Sequence, residues 1–184
     1  LNSARGAAAL RGLMTYSIRE TMFLADRGFD DLLLAYPIAR DVDLQSATTL
    51  IASGTTLRLV FDDRETLQRA ASFARAAGVV LPVVLCVDMS LHAFHGRVHI
   101  GVRRSPLYGV REVVSLARTV STTPDLRFDG LLGYEAQVAG LGDDSPYHRS
   151  ENAARSLVRA LSARAVRARR NEIVRALCSE GLAP

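Results

Sequence analysis

The residues best suited to chemistry sit at the ends of two apolar runs. The first run, Pro82-Val-Val-Leu-Cys-Val-Asp88, closes on an aspartate and leads past His92 and His95 into Gly96-Arg-Val-His-Ile-Gly-Val-Arg103. The second, Phe128-Asp-Gly-Leu-Leu-Gly-Tyr-Glu-Ala-Gln137, closes on Tyr134, Glu135 and Gln137. An imidazole at His99 can donate a hydrogen bond to an anionic oxygen, and the guanidinium groups of Arg97 and Arg103 can do the same with a fixed charge. A ring at Tyr134 can hold a flat, delocalised ligand by its face at little entropic cost. Asp88 can orient a neighbouring base or cap the loop that follows, because a half-buried carboxylate needs a partner. Glu135 and Gln137 stand where a substrate would be met, and ordinary loop solvation explains them as well.

Two further readings follow from residue type. His92, His95 and His99 invite a metal, but their spacing is irregular and no cysteine or nearby acid completes a closed set, so no metal is expected here. The chain holds 23 basic residues of the lysine and arginine class, and all of them are arginine. A reaction that needs a lysine amine therefore has no side chain here to use. The same absence removes the phosphate-binding Gly-x-x-x-x-Gly-Lys loop, and no Gly-x-Gly-x-x-Gly follows any apolar run.

The elements that must position these residues alternate. Apolar runs over 12–16, 31–36, 57–61, 83–88 and 126–133 read as strands. Amphipathic patterns over 17–27, 42–52, 62–77, 110–121 and 150–179, the last with a possible break, read as helices. Ser17-Ile-Arg-Glu20 matches a capping box, and Gly28 and Gly78 stand where helices stop. A long loop covers 89–108, which in a compact domain marks function or disorder. Strands that are apolar on both faces, joined by helices with no hairpin signal between them, require a parallel sheet. Both a doubly wound open sheet and part of an eight-unit barrel satisfy that pattern.

The segments Leu32-Leu-Leu-Ala-Tyr-Pro37, Gly96-Arg-Val-His-Ile-Gly-Val-Arg-Arg-Ser-Pro106 and Gly130-Leu-Leu-Gly-Tyr-Glu-Ala-Gln137 resemble the alanine racemase-like N-terminal barrel. The branch they look most like is the amino acid deaminase/aldolase group, related to D-threonine aldolase and D-serine dehydratase. The resemblance implies an incomplete (β/α)8 TIM barrel of about five parallel βα units, similar to strands two to six, with residues 1–184 as one partial domain. It implies an enzyme dependent on pyridoxal 5′-phosphate (PLP) that acts on D- or β-hydroxy amino acids as a deaminase or aldolase. The alternatives are a fragment of an alanine racemase, a module that binds PLP without a covalent bond, and an inactive truncated product.

By the same resemblance Tyr134 lies against the cofactor ring. His99 stands where alanine racemases place an arginine near the phenolic oxygen, with Arg97 and Arg103 as alternative donors. Asp88, Glu135 and Gln137 fall in the substrate region or behind it. The Schiff-base lysine would precede Leu1 and the phosphate loops would follow Pro184. Any divalent metal would belong to a C-terminal domain, and the parent would be a homodimer that takes a small amino acid substrate.

Composition bounds the remaining classes. A length of 184 residues suits one domain or a large piece of a bigger one, and a 48% hydrophobic share allows a sizeable core. The longest apolar run, 79–87, is too short for a membrane helix of about 20 residues. No signal peptide is visible, and the chain starts on Leu1, which reads as a cut N-terminus. Cys86 and Cys178 do not make a disulfide framework, so a reducing cytoplasm is expected. Between Arg155 and Arg175 seven arginines face a single acid, Glu172. Leu157, Leu161, Ala165 and Ala168 recur there at helical spacing, which assigns the arginines to the wet faces of a helix. No aromatic stacking pattern accompanies them, so nucleic acid is not expected as a partner.

Overall fold

The computed structural model describes residues 12–93, 98–139 and 152–182. In chain order these form β1 (Leu13–Thr15), α1 (Ile18–Ala25), β2 (Leu32–Leu34), α2 (Asp41–Ala52), β3 (Leu57–Phe61), α3 (Arg64–Ala77) and β4 (Leu81–Asp88). There follow β5 (Leu91–Ala93), β6 (Val98–Ile100), α4 (Val110–Ser121), β7 (Leu126–Tyr134), α5 (Ala136–Ala139) and α6 (Asn152–Ser179). The chain divides into two compact units. The first runs up to Leu85 and again over Leu116–Leu132, and the second comprises Cys86–Ser115 and the chain from Gly133 onward.

The first unit carries the sheet. Its strands are parallel and ordered β1-β2-β3-β4-β7, each beside the one before it in the repeat. Leucine faces leucine across the ladder, Leu13 to Leu32, Leu32 to Leu57 and Leu34 to Leu59, and Phe61 meets Leu85. Leu32, Leu57, Leu59, Phe61, Leu81, Val83 and Leu85 are wholly buried, as are Leu44 of α2 and Leu67, Ala70 and Ala74 of α3. Strands buried on both faces have no use for alternating polar residues, which is why the runs read as continuous.

Local signals set the helix ends. Ser17 accepts the Glu20 amide at 3.3 Å, while the Glu20 carboxylate takes the amide of Tyr16, one residue before the usual partner in a capping box. Asp63 accepts the Thr66 amide at 2.8 Å to start α3, and Gly78, with φ of 67°, ends it in the left-handed conformation. Arg58, the second residue of β3, forms ion pairs with Asp31 and Asp129, so one guanidinium holds acids from beside β2 and within β7.

The second unit departs from the expected single loop over 89–108. β5 and β6 pair there as an antiparallel ribbon, with His92 directly opposite His99. Residues 101–109 then return to the end of β4. The Asp88 amide donates to the Leu107 carbonyl at 2.8 Å, and the Ser105 hydroxyl donates to the Cys86 carbonyl at 2.8 Å while it accepts the Leu107 amide at 3.0 Å.

α6 also differs from the expectation. It runs unbroken, and among the described residues its buried side chains are Ser162, Val166, Ile173 and Leu177, while Leu157 and Leu161 are exposed. The buried row is offset by one residue from the apolar one, Ser162 and Val166 following Leu161 and Ala165, about 100° around the helix. On it Arg170 pairs with Glu135, and Arg169 lies over a tyrosine ring described below. Among the described residues no helix is long and apolar enough to cross a membrane. Cys86 is buried and Cys178 exposed, and neither forms a disulfide.

Candidate functional site

The second unit gathers most of the residues expected to do chemistry. Asp88 ends β4 and is 5% exposed. Its Oδ1 accepts the amide of Ser90 at 2.8 Å, and among the described residues no cation forms an ion pair with it. The β5–β6 register places His92 and His99 as a directly opposed cross-strand pair, with ring centroids 5.1 Å apart. One Asp88 oxygen and one ring nitrogen from each histidine all lie within 4.8 Å of one another. The acid that the linear spacing failed to supply to the histidines is thus Asp88, brought in by the end of β4. The Nε2 atom of His99 is buried without a hydrogen-bond partner.

Stacking fixes the His92 ring. It lies flat on Tyr108, centroids 3.9 Å apart and planes 3° from parallel, and the Arg169 guanidinium lies 3.2 Å from the Tyr108 centroid. Ser90 Oγ stands 3.2 Å from His92 Nε2. Ser90, His92, Tyr108, Arg169 and Glu172 help line a cleft of about 420 Å³. Tyr108, Ser105 and Arg169 were not expected as site residues. The Ser-Pro pair after Arg104 was the available signal for Ser105, whereas nothing in the linear order links Arg169 to Tyr108.

Burial holds the His92 pKa below its ordinary value of 6.5, with the charges of His99, Arg169 and Arg103 acting in the same direction and Asp88 opposing them. The unfolded chain therefore takes up this proton first as pH falls. The contribution of neutral His92 is complete above about pH 6.5 and is lost as pH drops from there through the lowered folded value. Urea midpoints should decline as pH falls below about 6.5, and His92→Gln should flatten that decline.

Tyr134 ends β7 and is 46% exposed as a residue, and the Arg104 guanidinium lies 5.2 Å from its ring centroid. Gly133 before it is a close approach, since a Cβ there would stand 2.7 Å from Cγ of Met89. Glu135 is tied by its ion pair to Arg170. Gln137 is 3% exposed, and its Nε2 donates to the Met89 carbonyl at 2.6 Å, so this amide holds the chain just past β4. Arg103 is exposed, and Arg97 and His95 lie outside the described residues. The structure thus groups Asp88, His92 and His99 together, gives Tyr134 an arginine neighbour, and turns Glu135 and Gln137 toward other parts of the chain.

No family model matches the chain, and no curated protein does. Solved structures do. D-threonine aldolase from Filomicrobium marinum superposes with a TM-score of 0.73 at 18% identity, over 98% of this chain and 42% of that one. D-threo-3-hydroxyaspartate dehydratase from Delftia sp. HT23 gives 0.69 at 23% identity, over 100% and 42%. Alanine racemase from Clostridium difficile 630, in complex with cycloserine, gives 0.56 at 13% identity, over 96% and 40%. The chain spans about two-fifths of the length of these proteins. At such identities the likeness is one of fold, and the fold is that of the alanine racemase-like barrel, represented here by five parallel βα units.

Proposed function

We propose that this chain forms the ring-holding part of a PLP-dependent enzyme that breaks or rearranges bonds at the α-carbon of D- or β-hydroxy amino acids. The observation that carries the reading is the half-exposed Tyr134, set at the C-terminal end of a barrel strand in a fold shared with an aldolase, a dehydratase and a racemase. Catalytic groups of such barrels stand at that end of the strands. When bound, PLP supplies an electron sink for negative charge developing at the substrate α-carbon.

The residues present fit part of that cofactor. Tyr134 offers a ring face, and Arg104, its guanidinium 5.2 Å from the ring centroid, offers a donor for an anionic oxygen. An imine needs an amine, and the chain contains no lysine. In this reading the amine comes from outside these 184 residues, and the chain alone holds the cofactor without a covalent bond and turns nothing over.

Equilibrium dialysis of the chain against PLP tests the reading. One molecule should bind per chain with no imine absorbance, and borohydride should leave no adduct on any side chain. Tyr134→Ala should weaken binding by about threefold to tenfold, the worth of one ring-face contact. Absence of saturable binding, or binding indifferent to both Tyr134→Ala and Arg104→Ala, would refute it.

A further inference from the structure

We propose that Asp88, His92 and His99 form a binding site for a divalent transition-metal ion of the zinc class, open to the cleft beside α6. The donor set is two imidazole nitrogens and one carboxylate oxygen, the combination such ions take in sites that keep positions free for water or substrate. The proposal stands on the geometry of the second unit and does not depend on any cofactor.

Three observations carry it. The antiparallel register of β5 and β6 makes His92 and His99 a directly opposed pair, so both imidazoles leave the same face of the ribbon. The end of β4 brings a 5% exposed carboxylate to that pair, and no described cation balances it. A buried carboxylate without a counter-charge and a buried ring nitrogen without a hydrogen-bond partner are both costly, and a dication relieves both together. The unpartnered nitrogen is Nε2 of His99.

The distances suit a site whose side chains close on the ion. Ligand atoms of a four-coordinate zinc stand about 3.3 Å apart, given bonds of about 2.0–2.1 Å. The three candidate atoms are within 4.8 Å of one another, so a side-chain movement of about 1.5 Å completes the set. Outer contacts are in place as well. The Ser90 amide holds Asp88 Oδ1, and Tyr108, covered by Arg169, fixes the plane of His92. Three protein ligands leave at least one position open, and His92 and Ser90 face the cleft of about 420 Å³, room for water and a small oxygen-bearing ligand.

The test uses the untagged chain, stripped with chelator and titrated with Co²⁺ as the probe. One Co²⁺ should bind per chain with the visible bands of a four- or five-coordinate ion, and Zn²⁺ should displace it. His99→Gln and Asp88→Asn, each checked for folding by circular dichroism, should weaken binding by more than the tenfold to hundredfold that loss of an outer contact brings. His92→Cys provides a gain of signal, since a thiolate ligand adds an intense sulfur-to-cobalt charge-transfer band. A chain that takes up no Co²⁺, or a His92→Cys variant that binds Co²⁺ without that band, overturns the proposal. Retention of full affinity by folded His99→Gln and Asp88→Asn overturns it too.

Discussion

Phe61→Ala is expected to lower the free energy of unfolding by about 3–5 kcal/mol, the usual range for deleting a fully buried phenylalanine. Among the described residues Phe61 is the bulkiest wholly buried side chain. It ends the central strand, β3, of the order β1-β2-β3-β4-β7 and sits in register with Leu85, itself wholly buried. The hole left by its ring would lie in a close-packed core whose surroundings relax only in part, so the cavity part of the cost should persist. With domain stabilities of about 5–15 kcal/mol, a loss of that size takes a large share of the total. Phe23 supplies the control. It is 52% exposed on α1, with the Arg27 guanidinium 3.4 Å from its ring centroid. Phe23→Ala should cost no more than about 1 kcal/mol, the worth of an exposed cation–ring contact. Chemical denaturation of the two variants measures the contrast directly. Equal losses would mean that β3 does not lie at the centre of the packed sheet.

Much of this frame was legible because burial on both faces leaves a plain mark on sequence. β3 and α4 fall on the residues expected of them, and Asp63 and Gly78 bound α3 as their chemistry requires. The expected strands 12–16 and 31–36 shrank to three residues each, since flanking residues such as Tyr16 and Tyr36 turn outward to solvent. The site was harder to read. The β5–β6 ribbon has no Asn-Gly turn and only three residues per strand, so length and turn chemistry were silent. One faint signal existed, the apolar-polar-apolar triplets Leu91-His92-Ala93 and Val98-His99-Ile100, which carry a strand period with histidine on one face. Without that pairing the histidines look irregularly spaced, and Asp88 looks like the end of a strand. The setting of Gln137 was hidden for a related reason. A polar residue after a strand reads as substrate-facing, whereas here tertiary packing buries it against the Met89 carbonyl.

Gly101→Ala should disrupt the site, with a cost of about 2–4 kcal/mol when backbone strain and a lost hydrogen bond combine. Gly101 has φ of 117°, a conformation that L side chains rarely adopt. A Cβ there would stand 2.7 Å from Oε1 of Gln137 and 3.2 Å from Cα of Ser90. Neither neighbour yields easily. Gln137 is buried and anchored to Met89, and Ser90 Cα is backbone whose amide holds the Asp88 carboxylate. Since β6 ends one residue earlier, at Ile100, relief of the clash must displace His99 from its place opposite His92 and shift Ser90 away from Asp88. Hydrogen exchange should quicken over 98–108 while the β1–β3 ladder keeps its protection. Gly54→Ala separates strain from contact, because Gly54 has φ of 95° and nothing within 4 Å of its added Cβ. That variant should show only the strain, about 1–2 kcal/mol, with exchange over 98–108 unchanged. If the two variants prove equally stable and exchange alike, the packing of Gln137 and Ser90 around Gly101 is not what holds the ribbon against the end of β4.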